Sequence, residues 1–201
     1  MGENNTIKQQ ALNIFLKQGV KTTNMDDVAT ALGISKKTLY QYVENKPDLV
    51  FQCFELHIGN VIDVLHRSVS DSNNAIDDLF LIDENIIVIM KQTNPLVLGE
   101  LRRYYAETWQ LYETFKEKEL FEILKKNLEK GIHQGVYRPD LNIDIISKLM
   151  LCRADNLIND EIFPLTDYNF HQLLMENKIY HIRGIATSKG INYLEQKINE
   201  I

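Results

Sequence analysis

The residues with most chemistry for their spacing fall in one short window. Lys36, Lys37, Thr38, Gln41 and Tyr42 share the outward side of a helical pattern whose inward side is Leu39 and Val43. Lysines attract phosphate through counterion release, the hydroxyls of Thr38 and Tyr42 fix register on a sugar-phosphate backbone, and Gln41 or Lys37 is long enough to reach base edges. Lys46 opens the following helix pattern, where unpaired backbone N–H groups and the helix dipole already favour an anion. This is chemistry for double-stranded nucleic acid. The plainer alternative is a three-helix core with solvated lysines and capping hydroxyls. For Leu39, Val28 and Ala29 that alternative is the correct one.

Covalent and metal chemistry find no comparable set. Cys53 and Cys152 are the only cysteines, and no Cys or His stands beside either at metal-ligand spacing. Asp140, Asn142 and Asp144 open like a calcium loop, but Ile145 occupies the position that needs glycine and Leu151 the one that needs a bidentate carboxylate. No order of Ser, His and Asp suggests a nucleophile, and no glycine-rich loop follows a strand. We expect no catalytic residue, metal or cofactor. Met1-Gly2 and Asn4-Asn5-Thr6 match short modification patterns that occur often by chance. The segment from Met1 to Gln10 is polar where a signal peptide is apolar, and no apolar run reaches the length of a membrane span, so a cytoplasmic location is expected.

Charge distribution supports the same window. The 201 residues hold 22 basic and 28 acidic side chains, a net charge of −6, which excludes a uniformly basic nucleic-acid coat. Residues 1–50 nevertheless carry six lysines against five acids, and the acidic excess lies in the remainder. Attraction to phosphate depends on where the charges lie, so a local patch on an acidic body suffices.

Apolar residues recur at spacings of three and four nearly throughout, which predicts an all-α architecture. Ile7, Ala11, Ile14 and Phe15 mark a first helix ending at Gly19. Thr23 with Asp26 is expected as the capping box of a second, short helix faced by Val28, Ala29 and Leu32. Gly33-Ile34-Ser35 then turns the chain and caps a third helix over 36–43, and Pro47 fits the first turn of a fourth. Two short helices joined by a glycine turn, after a supporting helix, form a helix-turn-helix. Further helices are expected over 75–92, from the Asn94-Pro95 cap through Tyr112, over 116–131, over 142–159 and, as the last, over 168–187.

The stretch Ala11-Leu12-Asn13-Ile14-Phe15, Gly19, Thr22-Thr23, Val28 to Val43 and Lys46 resembles the DNA-binding domain of tetracycline-repressor (TetR) family regulators. By that resemblance Thr23, Thr38, Tyr42 and Lys46 correspond to phosphate-contacting positions, and Lys36, Lys37, Tyr40 and Gln41 to the recognition-helix surface. Lys37 departs from the family pattern, which commonly has glycine there, and this bears on base preference. The resemblance implies a DNA-binding domain at 1–47 and a larger helical ligand-binding and dimerisation domain at 48–201. It also implies a homodimer on a pseudopalindromic DNA operator, a small-molecule effector that releases it, and repression as the outcome. The dimer surface is expected on the helices over 142–159 and 168–187. A helical protein-interaction module with secondary DNA binding is the alternative.

Two charges in the helical body fall on apolar faces. Asp83 lies in the stripe Ile76, Leu79, Phe80, Ile87 and Met90, and Arg153 lies beside Ile146, Met150 and Leu157. Each needs a partner, since burying a lone charge costs several kcal/mol. They pair with each other, or with Arg102, Arg103 or Glu100, or else they line a cavity. Tyr105 and Trp109 belong to a further stripe that serves either as core or as pocket wall. Asp83, Tyr105, Trp109 and Arg153 are therefore the candidate effector contacts.

Overall fold

A computed structural model describes residues 3–94, 96–157, 159, 161–164 and 166–200. Pro95, half of the expected cap, and Met1-Gly2 lie outside them. The architecture is all-helical: α1 (Glu3–Gln18), α2 (Met25–Leu32), α3 (Lys36–Leu39), α4 (Lys46–Asp71), α5 (Ala75–Lys91), α6 (Leu96–Tyr104), α7 (Ala106–Phe115), α8 (Phe121–His133), α9 (Ile143–Leu157), α10 (Phe170–Ile185) and α11 (Ser188–Asn199). Among the described residues, no helix is long and apolar enough to cross a membrane.

The chain divides into two compact units, Met1–Asp63 with Val88–Phe115, and Val64–Ile87 with Lys116–Ile201. In the first, Ala11, Leu12 and Phe15 of α1, Val28 and Ala29 of α2, Leu39 of α3 and Leu49, Val50 and Cys53 of α4 close one apolar core, joined by Val97 and Leu101 of α6. The second unit packs Ile76, Leu79 and Phe80 of α5 with Leu128 of α8, Tyr137, Ile182 and Ile185 of α10 and Leu194 of α11.

Three local details differ from the sequence reading. The capping box of α2 sits one residue later than expected. Asn24 accepts the N–H groups of Asp26 and Asp27 at 2.8 and 3.0 Å, and Asp27 accepts the N–H of Asn24 at 2.8 Å. Thr23 is used elsewhere, its hydroxyl donating to the Gly19 carbonyl at 2.7 Å. α-Helical geometry in α3 ends at Leu39, and the chain tightens into i→i+3 bonds from Gln41 N to Thr38 O and Tyr42 N to Leu39 O. The helix expected over 116–131 begins with a π-helical turn, Lys116–Leu120, before α8.

The reading over 168–187 ended too early to include α11. Thr187 caps α11 by accepting the N–H of Gly190 at 3.2 Å, and its own N–H donates to the Val136 carbonyl at 2.9 Å. Together with Arg138 N to Ile185 O at 2.9 Å, this clasps the loop after α8 to the α10–α11 junction. A Cβ on Gly190 would run into the Val136 carbonyl, so only glycine fits this approach.

Candidate nucleic-acid interface

The turn before α3 is fixed by backbone chemistry. Gly33 adopts φ 68°, ψ 25°, a left-handed conformation that disfavours a side chain, and its N–H closes α2 on Ala29 and Thr30 carbonyls. Ile34 N donates to Ala29 O at 3.1 Å. Ser35 then accepts the Thr38 N–H at 3.0 Å, and the two hydroxyls lie 2.7 Å apart. Leu39 and Val43 are buried in the core, so the rotation of α3 is determined and its other side faces solvent.

That outer side carries most of the expected residues. Lys37 and Gln41 are exposed, and Tyr40 is 44% exposed, unusual for a ring of that size. Thr38 and Tyr42 are half-buried, with Tyr42 packed against the core. Lys36 is exposed and pairs with Asp26 at 2.8 Å, and the hydrogen bond to Asp26 raises its pKa. A pair of this kind is screened and labile, so it exchanges readily for a phosphate. Lys46 is half-buried at the first position of α4. It donates to the Lys21 carbonyl at 3.3 Å and lies 6.0 Å from the centre of the Tyr105 ring. Burial lowers its pKa, while Glu100 and Asp27 pull the other way. Asn45 caps α4 by accepting the Asp48 N–H at 3.0 Å.

Thr23 is corrected by its surroundings. At 2% exposed, with its hydroxyl given to Gly19, it braces the α1–α2 turn and offers no surface to a phosphate in this conformation. Glu100 was foreseen only as a partner for Asp83 or Arg153, yet it accepts the N–H groups of Val20 and Lys21 at 2.6 and 2.9 Å. Nothing in the local spacing of α6 signals that role, because its partners lie about eighty residues earlier.

The four effector candidates do not form one set of contacts. Tyr105 and Trp109 pack against the core of the first unit, with Trp109 stacked 4.9 Å from Tyr112. In the second unit Asp83 pairs with Lys178 at 3.2 Å, and none of the foreseen partners is used. Lys178 is almost fully buried and lies 3.9 Å from the Phe80 ring centre. Its signal was readable: Leu174, Lys178 and Ile182 recur every four residues on the buried side of α10. Arg153 lines a groove between α9 and α10 that does not include Asp83.

Comparison with known proteins agrees with this geometry. Residues 7–53 match the model of "Bacterial regulatory proteins, tetR family". An uncharacterised HTH-type transcriptional regulator of Bacillus subtilis, YvaF, is 30% identical over 108 residues, 52% of this chain and 56% of that relative. The HTH-type transcriptional repressor KstR2 of Mycobacterium tuberculosis is 22% identical over 70% of this chain and 72% of its own length. A TetR-family regulator from Cytophaga hutchinsonii shares the fold at a TM-score of 0.75, with 20% identity over 92% of this chain and 95% of that one. With a Ser35-capped α3 turned outward and the matched segment ending inside α4, the chain belongs to the TetR family of transcriptional regulators, a family without enzymatic activity.

Proposed function

We propose that this protein is a cytoplasmic homodimeric repressor whose two α3 segments enter successive major-groove faces of a pseudopalindromic operator. In such an arrangement the recognition elements stand about 34–36 Å apart, or more. The observation that carries the reading is the orientation of α3: Leu39 and Val43 anchor it, leaving Lys37, Tyr40 and Gln41 outward beside Lys36, Thr38, Tyr42 and Lys46. We assign base reading to Lys37 and Gln41 and phosphate contact to Lys36, Thr38, Tyr42 and Lys46, with Thr23 as a brace. Repression is supported by the activity named for KstR2.

Under this reading residues 1–47 recognise DNA and 48–201 hold the dimer contacts, on α9 and α10, and the effector. α4 is the lever, since it runs unbroken from Lys46 into residues of the second unit. An effector that binds better to one α3 separation than to another weakens operator binding by a coupling typically ~1–3 kcal/mol. Asp83, Tyr105 and Trp109 are proposed as its contacts because each sets a polar atom in an apolar surrounding. Arg153 belongs to the α9–α10 groove.

The test is binding of fluorescent duplexes across a salt series. Specific binding should weaken steeply with salt, by about 0.9 log unit per log unit of salt for each phosphate neutralised. Lys37→Gly should change which duplex is preferred while leaving the oligomeric state unchanged. Equal loss on every duplex would remove Lys37 from base reading, and indifference to all duplexes at low salt would end the proposal.

A further inference from the structure

The second unit leaves two polar groups on α9 and α10 without partners. Arg153 Nε and His181 Nε2 are buried and make no hydrogen bond. His181 is only 7% exposed. Both line a groove of about 600 Å³ with Ile146, Leu149, Glu176 and Tyr180. Arg183, also in the groove, is already paired with Glu195 at 2.8 Å, and the Arg153 guanidinium stands 5.7 Å from the Tyr180 ring centre. Burial, and secondarily the Arg153 charge, push the His181 pKa down to about 3, so the imidazole is a neutral donor. Donors left this way are costly, and native chains seldom keep them without an acceptor.

The same helices expose apolar side chains. Tyr180 is 74% exposed, and Ile145 and Leu149 each 53%. Glu176, Tyr180 and Gly184 repeat every four residues along α10, and no atom lies within 4 Å of where a Cβ on Gly184 would stand, which leaves room for another backbone. Glu176 is exposed and has no ion pair among the described residues.

We propose that a second copy of this chain fills the groove, the partner subunit's Glu176 accepting hydrogen bonds from Arg153 and His181. A two-fold axis makes the contact reciprocal, so each copy gives one carboxylate and receives one. A free anion would satisfy Arg153 and His181 but would bring a like charge up to Glu176, whereas a second copy satisfies all three. This inference rests on the two-fold reading above and adds the polar contact that sets register and partner choice.

Sedimentation equilibrium of the full chain tests it. Arg153→Glu and Glu176→Arg should each raise the dimer Kd about tenfold or more, because each places like charges in contact. The double variant should recover the wild-type Kd. An equal mixture of the two single variants should form heterodimers, since both reciprocal contacts then join opposite charges. Circular dichroism checks that each variant folds, and Glu176→Gln, at an exposed position, replaces a reversal that does not. A wild-type dimer whose Kd ignores the single changes, or folded reversals that neither the double variant nor the mixture rescues, overturns the contact and leaves the two-fold reading standing. A wild type that is monomeric at every concentration overturns both.

Discussion

The two units handle charge in opposite ways. In the first, the cations of α3 stay at the surface: Lys37 is exposed, and Lys36 meets Asp26 in solvent. In the second, charge goes inside. Asp78 is fully buried and takes Lys130 Nζ at 2.9 and 3.0 Å and Asn127 Nδ2 at 3.1 Å, while Asp83 holds the buried Lys178. Surface charge is cheap to expose and easily traded for a phosphate. Buried charge adds little net stability, but it penalises every arrangement that separates the partners. One unit is thus suited to exchanging partners and the other to holding its own.

Removing a buried partner should produce the largest effect. Asp78→Ala leaves Lys130 and Asn127 without an acceptor and should lower unfolding stability by ~3–5 kcal/mol, read by urea denaturation. A loss no greater than that of a surface lysine variant would erase the contrast between the units.

The pair Asp83–Lys178 sharpens the contrast through pH. Burial pushes Asp83 up to about 6 from an ordinary 3.8, against the pull of Lys178, and burial likewise lowers Lys178. On both partners desolvation outweighs attraction. The folded chain therefore holds the Asp83 proton more tightly than the unfolded chain does. The stability this contributes is complete below pH ~4 and is lost as pH rises through ~6. Unfolding measured from pH 4 to 7 should show a falling contribution in the wild type that is absent from Asp83→Asn. Identical pH curves would place the charge outside the core.

In the first unit the effects should appear in DNA binding and hardly in stability. Lys46→Ala should weaken binding to all duplexes alike and shallow the salt slope by about one unit. An unchanged slope would remove that phosphate contact. The smallest stability change is expected for Lys36→Ala, where an exposed pair with Asp26 is lost, and thermal unfolding close to wild type is the expected result.

Helical periodicity and turn chemistry made most of this architecture legible, because Gly19, Gly33, Ser35 and Pro47 act on their nearest neighbours. Three adjacent residues able to cap, Thr22, Thr23 and Asn24, left the start of α2 ambiguous, and only the Gly19 carbonyl taking the Thr23 hydroxyl resolves it. α11 was missed because Gly190 reads as a breaker, while its actual use is close approach to Val136. For Asp83 the sequence showed the need for a partner and not its identity, since Lys178 comes ninety-five positions later. Contacts of that range are decided by how helices pack, and α10 carries its side of the pair on an otherwise apolar face.

The clasp between Val136 and Thr187 also bears on synthesis. The first unit can close its core once Leu101 has been made, but the second still lacks Leu194, ninety-three residues further on. At cellular elongation rates of ~5–20 residues per second, that is a wait on the order of ten seconds. On the ribosome, the nascent DNA-reading end can be shaped well before the half that pairs the copies.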